Sequence, residues 1–146
     1  MMTPFQKFAR IFGLIYAAVG ILGFFPILVQ PIADTTGLDV VAGYGRLLGI
    51  FPINVTHNLV HLGLGLWGIW AAKTDIASIA FAKTNAVLLA ALAALGFVPA
   101  TGMLFGLAPI YGIDAVLHAA TAIVAGYFGY ILPTHIHHDT PAAIHH

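Results

Sequence analysis

The sequence predicts an all-α integral membrane protein, a four-helix bundle built from two parallel helical-hairpin repeats. Hydrophobic residues fill 60% of the 146 positions and charged residues only 7%, against roughly 25% charged in a soluble domain. Four long apolar runs are each closed by a proline or a basic residue, and landmarks of the first half recur in the second. Mean hydropathy is +0.98, so a water-facing surface cannot be assembled from these side chains. The expected organisation is one membrane domain over residues 1–133 and a His-rich tail over 134–146.

The first helix is expected at about residues 5–25, beginning beside Pro4 and stopping at Pro26, near the roughly 20 residues a bilayer requires. Lys7 and Arg10 precede it as in a secretion signal. The apolar run to Val29 is longer than a signal core, however, and ends at Gln30-Pro31 without a small-residue cleavage site, so it reads as a retained span. The connection that follows carries Pro31, Asp34-Thr35-Thr36-Gly37 and Gly43-Tyr44-Gly45-Arg46. Its part from about residue 40 to 50 is apolar enough to lie flat as an interfacial helix anchored by Tyr44 and Arg46. The second helix is expected at about 53–72, ending at Lys73, the third at about 77–97, closed by Pro99, and the fourth at about 109–132, stopped by Pro133.

Lys7, Arg10, Lys73 and Lys83 fall on one side of such a bundle and Arg46 on the other, which predicts cytoplasmic termini. Trp67, Trp70 and Tyr127 then read as interface-belt residues of the inner side. His135, His137, His138, His145 and His146 crowd the tail, which reads as a solvated segment able to chelate metal.

Phe8-Ala9-Arg10 recurs as Phe81-Ala82-Lys83, and Leu22-Gly23-Phe24-Phe25-Pro26 as Leu95-Gly96-Phe97-Val98-Pro99. Pro52-Ile53 recurs as Pro109-Ile110, with His57 and His61 answered by Asp114 and His118. Two hairpins inserted in the same sense give a parallel repeat about the membrane normal. Small residues at four-residue spacing (Ala9, Gly13 and Ala17; Ala82, Ala86 and Ala90) let backbones approach where lipid removes the hydrophobic drive between helices. Gly63, Gly65 and Gly68, and Ala122, Gly126 and Gly129, are expected to do the same on the other two helices.

Ionisable residues in apolar segments need an explanation, because hydrocarbon penalises each of them. His57 and His61 share one face of the second helix, as Asp114 and His118 share one face of the fourth. Turned inward, three imidazoles and one carboxylate meet near the bundle axis. They could tie the hairpins by hydrogen bonds, ligate a divalent metal or a tetrapyrrole such as haem or chlorophyll, or relay protons. Asn54 fits an N-cap, and Asn58 flanks the His pair as a second structural polar group. Asn54-Val55-Thr56 matches a glycosylation sequon but lies too close to the bilayer to act as one.

Cysteine and glutamate are absent, which excludes thiolate chemistry and leaves Asp34, Asp39, Asp75, Asp114 and Asp139 as the acids. No phosphate-binding glycine loop, nucleophilic serine pair or carboxylate pair is present, so an enzyme is not expected. The net charge of +0 gives nucleic acid no purchase.

Gly43 to Leu62 followed by Gly65-Leu66-Trp67-Gly68, and Leu104 to Pro109 with Asp114-Ala115-Val116-Leu117-His118, resemble the DUF4383 family of small bacterial membrane proteins, with a cyanobacterial flavour. The resemblance implies four membrane helices, a bacterial inner or thylakoid membrane, and His57, Asn58, His61, Asp114 and His118 as motif positions. It implies no reaction. The expected role is an accessory or structural subunit of a larger membrane complex, with the lipid bilayer and other membrane subunits as partners; the rival is a small transporter or proton-relay module.

Overall fold

The computed structural model describes residues 1–134, so the expectations for the His-rich tail fall outside the described residues. Helix α1 spans Pro4–Leu22, α2 Val55–Ala71, α3 Asp75–Gly96 and α4 Ile113–Gly126, the last running on through a π-helical turn at Tyr127–Ile131. Three helices are long and apolar enough to cross a membrane: Pro4–Leu22, Asp75–Gly96 and Ile113–Thr134. At 17 residues, α2 sits at the short end of the spanning range.

Local signals set the helix starts. Thr3 and Gln6 form a reciprocal capping box ahead of α1, with Pro4 in the first turn. Asn54 caps α2 and Thr74 caps α3 through their side-chain oxygens. The Thr3 hydroxyl also donates to Asp75 Oδ1 at 2.6 Å, joining the starts of α1 and α3. Both α1 and α3 run into a proline-initiated 3₁₀ turn, Pro26–Leu28 and Pro99–Thr101, after a preceding residue in extended conformation.

Two sequence-based boundaries need correction. The segment about 40–50 is not an interfacial helix: it holds a turn and strand β2 (Gly45–Leu47), which lies between β1 (Val29–Pro31) and β3 (Phe51–Ile53) in an antiparallel sheet. The cause is glycine chemistry. Gly43 and Gly49 adopt φ of +68° and +74°, conformations no helix contains. At Gly45 a Cβ would come within 2.5 Å of the backbone carbonyl oxygen of Gln30, so only glycine lets β1 and β2 pair there. Pro52 is tolerated because β3 is an edge strand. The second correction concerns α4, which begins at Ile113 rather than about 109. Residues 108–110 are buried coil, and Gly112, at φ +66°, turns the chain into the helix.

Helix α1 packs chiefly on α2 and α3 chiefly on α4, with α1–α3 the closest link between the pairs. The α1–α2 contact depends on absent side chains. A Cβ at Gly13 would lie 2.6 Å from Ile69 N and 2.8 Å from the Gly68 carbonyl carbon, and one at Gly20 2.7 Å from Leu62 N. Gly68 itself faces Gly13 and the Phe81 ring. Not every expected small residue packs, since Gly63 has open space beside it and Ala90 is exposed.

The core toward the N-terminal end of α1 gathers Phe8, Ala9, Phe81, Ala82, Ala122 and Ala125, with Phe8 stacked on Phe128 at 4.7 Å. Trp67 joins that core edge-on to Phe81 at 5.1 Å instead of lying in the interface belt expected on the inner side. Trp70 and Tyr127 remain exposed. Outward, Ile11, Leu14, Leu66, Val87, Val116 and Ile123 form an apolar surface on all the helices, as a lipid-facing exterior requires. At the opposite end the two long connections meet. Gly106 O accepts from Asp39 N and Val40 N at 2.9 and 3.1 Å, and the Tyr44 and Tyr111 hydroxyls lie 3.0 Å apart. Burial and then that hydrogen bond push the Tyr44 phenol up to about 12, so it stays neutral at any physiological pH.

Gly13→Val should destabilise the protein by about 1–3 kcal/mol or prevent its folding, because backbone and not a movable side chain occupies the space. Gly63→Ala should be neutral or stabilising by up to about 1 kcal/mol, since no neighbour is met and helix propensity improves. Denaturant unfolding in detergent, followed by circular dichroism, measures both.

Candidate functional site

The start of α2 and the start of α4 bring the candidate residues together. Asn54 is fully buried. Its Oδ1 accepts from His57 N at 2.9 Å, while its amide donates to Val40 O at 2.8 Å and Leu107 O at 2.9 Å. One side chain therefore caps α2 and holds both connections to that cap. This fixes where His57 projects, one turn into the helix.

His57 Nδ1 lies 3.1 Å from the carbonyl of Pro109. A carbonyl only accepts, so Nδ1 carries the proton and Nε2 is left with its lone pair. That Nε2 faces Asp114 Oδ1 at 3.9 Å, from the other hairpin. His118, one turn along α4, presents Nε2 to Asp114 Oδ2 at 3.6 Å. One ligand atom from each of His57, Asp114 and His118 lies within 4.8 Å of the others, and all three residues are buried. Both nitrogen–oxygen separations exceed hydrogen-bond range. Among the described residues, Asp114 Oδ2 and His118 Nδ1 have no hydrogen-bond partner.

His61 stands apart from this group. Its Nδ1 donates back to the His57 carbonyl at 3.2 Å, and its ring stacks on His57 at 4.6 Å and meets Tyr16 edge-on at 5.7 Å. Of the expected cluster, three members thus converge and the fourth is turned to its own helix and to α1. Asn58 is buried against Gly23, and its Oδ1 lacks a partner among the described residues.

Beside the cluster lies a cavity of about 180 Å³, lined by His57, His61, His118, Tyr16 and leucines from α2, α3 and the 104–110 connection. The connection forms its roof through Leu104 and Leu107, and Leu104 and Phe105 hold φ of 43° and 55°, unusual for residues with side chains. Tyr16 was not singled out by sequence. It is buried with no partner for its hydroxyl among the described residues. Its place on the packing face of α1, between Gly13 and Gly20, was the available signal. Asn85, fully buried on α3 with its amide donating to Phe81 O at 2.9 Å, was likewise passed over.

The family described as Domain of unknown function (DUF4383) matches residues 6–131. No curated protein and no solved structure matches the chain.

Asn54→Ala removes the cap of α2, about 0.5–2 kcal/mol, and strips a donor from two carbonyls at about 1–3 kcal/mol for each group left buried and unpaired. A loss of several kcal/mol is expected in denaturant titrations. Asn54→Asp should be no rescue, because it keeps the cap but turns a carboxylate oxygen toward Val40 O and Leu107 O.

Proposed function

We propose that this chain, which belongs to the DUF4383 family, is a non-enzymatic integral membrane protein of four spanning helices. It serves as an accessory subunit of a larger membrane complex. In this reading the His57–Asp114–His118 cluster ties one helical hairpin to the other through a shared cation. The carrying observation is the buried carboxylate of Asp114 flanked by two imidazole nitrogens at 3.6 and 3.9 Å, one of them from the opposite hairpin.

The hairpins are related as parallel repeats. Support comes from the paired packing of α1 with α2 and α3 with α4, and from the matching proline-initiated turns after α1 and α3. Lys7, Arg10, Lys73 and Lys83 belong to the end opposite the cluster, so that end is cytoplasmic, with both termini, by the positive-inside rule. The cluster then lies toward the outer face of a bacterial membrane.

A tetrapyrrole is disfavoured as the ligand. The cavity beside the imidazoles is about 180 Å³, below the roughly 300–1,000 Å³ of ordinary ligand pockets, and a macrocycle needs the helices to part. A proton relay through the bundle is disfavoured too, since the core beyond His61 is closed by Leu64, Trp67, Phe81 and Phe8. The accessory role draws on the apolar outer faces of the helices.

A double-mutant cycle on His57→Leu and Asp114→Leu should give a coupling free energy of about 0.6–1.7 kcal/mol, the range of polar ties between membrane helices. Additive losses in reversible unfolding would remove the tie. Native electrophoresis of gently solubilised membranes should place the chain in a band heavier than a single copy in detergent; migration as a lone chain would remove the accessory role.

A further inference from the structure

We infer that His57, Asp114 and His118 form a three-ligand site for a divalent transition metal, zinc-like in its donors, with a fourth position facing the cavity. This inference rests on the reading of the cluster as a tie and names the cation. A proton shared directly between imidazole and carboxylate draws them to about 2.7–2.9 Å. Two ligands of one tetrahedral ion, each about 2.0–2.2 Å from it, stand about 3.4 Å apart. The observed 3.6 and 3.9 Å, which run to the two different oxygens of Asp114, are closer to the second figure; the three ligand atoms lie within 4.8 Å of one another, so they draw together to hold one ion.

Donor chemistry agrees. Two imidazole nitrogens and one carboxylate are a recurrent zinc set in which the protein leaves one position for a small ligand. The Pro109 carbonyl fixes the His57 tautomer from behind, as outer-shell carbonyls do for ligating histidines, and leaves Nε2 bare toward Asp114. Asp114 Oδ2, buried and with no hydrogen-bond partner among the described residues, is a ready donor to a cation. The cavity is bordered by His57 and His118. Its volume of about 180 Å³ is comparable to the roughly 150 Å³ of an engineered cavity that admits benzene. The fourth ligand is therefore water or a small molecule of about benzene's size at most.

To exclude uptake by the imidazoles of the tail, the test uses the full chain in detergent with His135, His137, His138, His145 and His146 changed to Gln. Titration with Co²⁺ should give one ion per chain and the intense visible bands of a low-coordinate site. Asp114→Asn, His57→Gln and His118→Gln should each weaken binding at least about tenfold, the lower end of what outer-shell losses alone produce. His61→Gln should leave the titration unchanged. His118→Gln leaves the facing pair of His57 and Asp114 in place, so it keeps the test valid if the other variants fail to fold, as checked by circular dichroism and gel filtration. Azide should shift the Co²⁺ bands, and Leu92→Phe, which fills the cavity, should abolish that shift while keeping the stoichiometry. Failure of the tail-substituted protein to bind Co²⁺, or equal binding by His118→Gln, overturns the metal site. Absence of an azide shift overturns the fourth position. Coupling between His57 and Asp114 without Co²⁺ binding overturns the metal and leaves the tie standing, whereas loss of both overturns both.

Discussion

A carboxylate enclosed by apolar helices has no water to solvate it, and the rest of this architecture is arranged around Asp114. Removing a charge from water costs several kcal/mol unless a counter-charge and hydrogen bonds replace the solvent. Asp114 is only 3% exposed. Beside it stand an imidazole from its own helix and one from the other hairpin, neither within hydrogen-bond range, so in the proposed reading a shared cation takes the place of the solvent. The second imidazole is demanding, because it requires α2 to start at one height and with one rotation relative to α4. Asn54 supplies both by capping α2 and gripping the two connections in one set of hydrogen bonds. The carbonyl of Pro109 supplies the last element, the orientation of the His57 ring.

The two ends of the helical assembly are held by different physics. Toward the chain's N-terminus, packing suffices: glycines and alanines let α1 close on α2, and aromatic rings fill what remains. Lipid offers no hydrophobic drive between helices, so this end depends on shape. Helices α2 and α4 barely approach each other. Toward the connections the space between them is spanned by His57, Asp114 and His118 and by the cavity beside them. These polar groups thus lie between the two helices that share the least backbone packing, which is where a directional link contributes most.

How much of this could be read in advance follows from which forces are local. Pro4 and Asn54 announce helix starts because caps and prolines act within one turn, and each begins a helix here, whereas Thr74, which caps α3, lies outside the span of about 77–97 expected for that helix. The face shared by Asp114 and His118 was legible for the same reason, since helical periodicity alone fixes it. The strand at Gly45–Leu47 was not, because its apolar composition equally suits an interfacial helix. Only pairing with Val29–Pro31, distant in sequence, decides it. The fate of His61 was hidden for a related reason. Spacing places it on the face of His57, but it cannot tell that its ring turns to its own helix and Tyr16 rather than to Asp114. Tyr16 escaped notice because an aromatic on a helix face has no polar signature until its hydroxyl proves to be buried.

That divergence between His61 and His118 gives the site its character. Both follow an ionisable residue by one turn, yet their neighbours differ. His57, above His61, has its nitrogen engaged by Pro109 and offers only its carbonyl back along the helix, which His61 takes. Asp114, above His118, offers a carboxylate, and the imidazole turns to that instead. The same four-residue spacing therefore yields a stack of rings on α2 and a nitrogen–oxygen pair on α4. A centre contributed equally by both helices would close on itself with four donors. With three donors converging and the fourth imidazole lining the adjoining cavity, the cluster keeps one side accessible, the geometric condition for admitting a small ligand rather than merely bracing two hairpins.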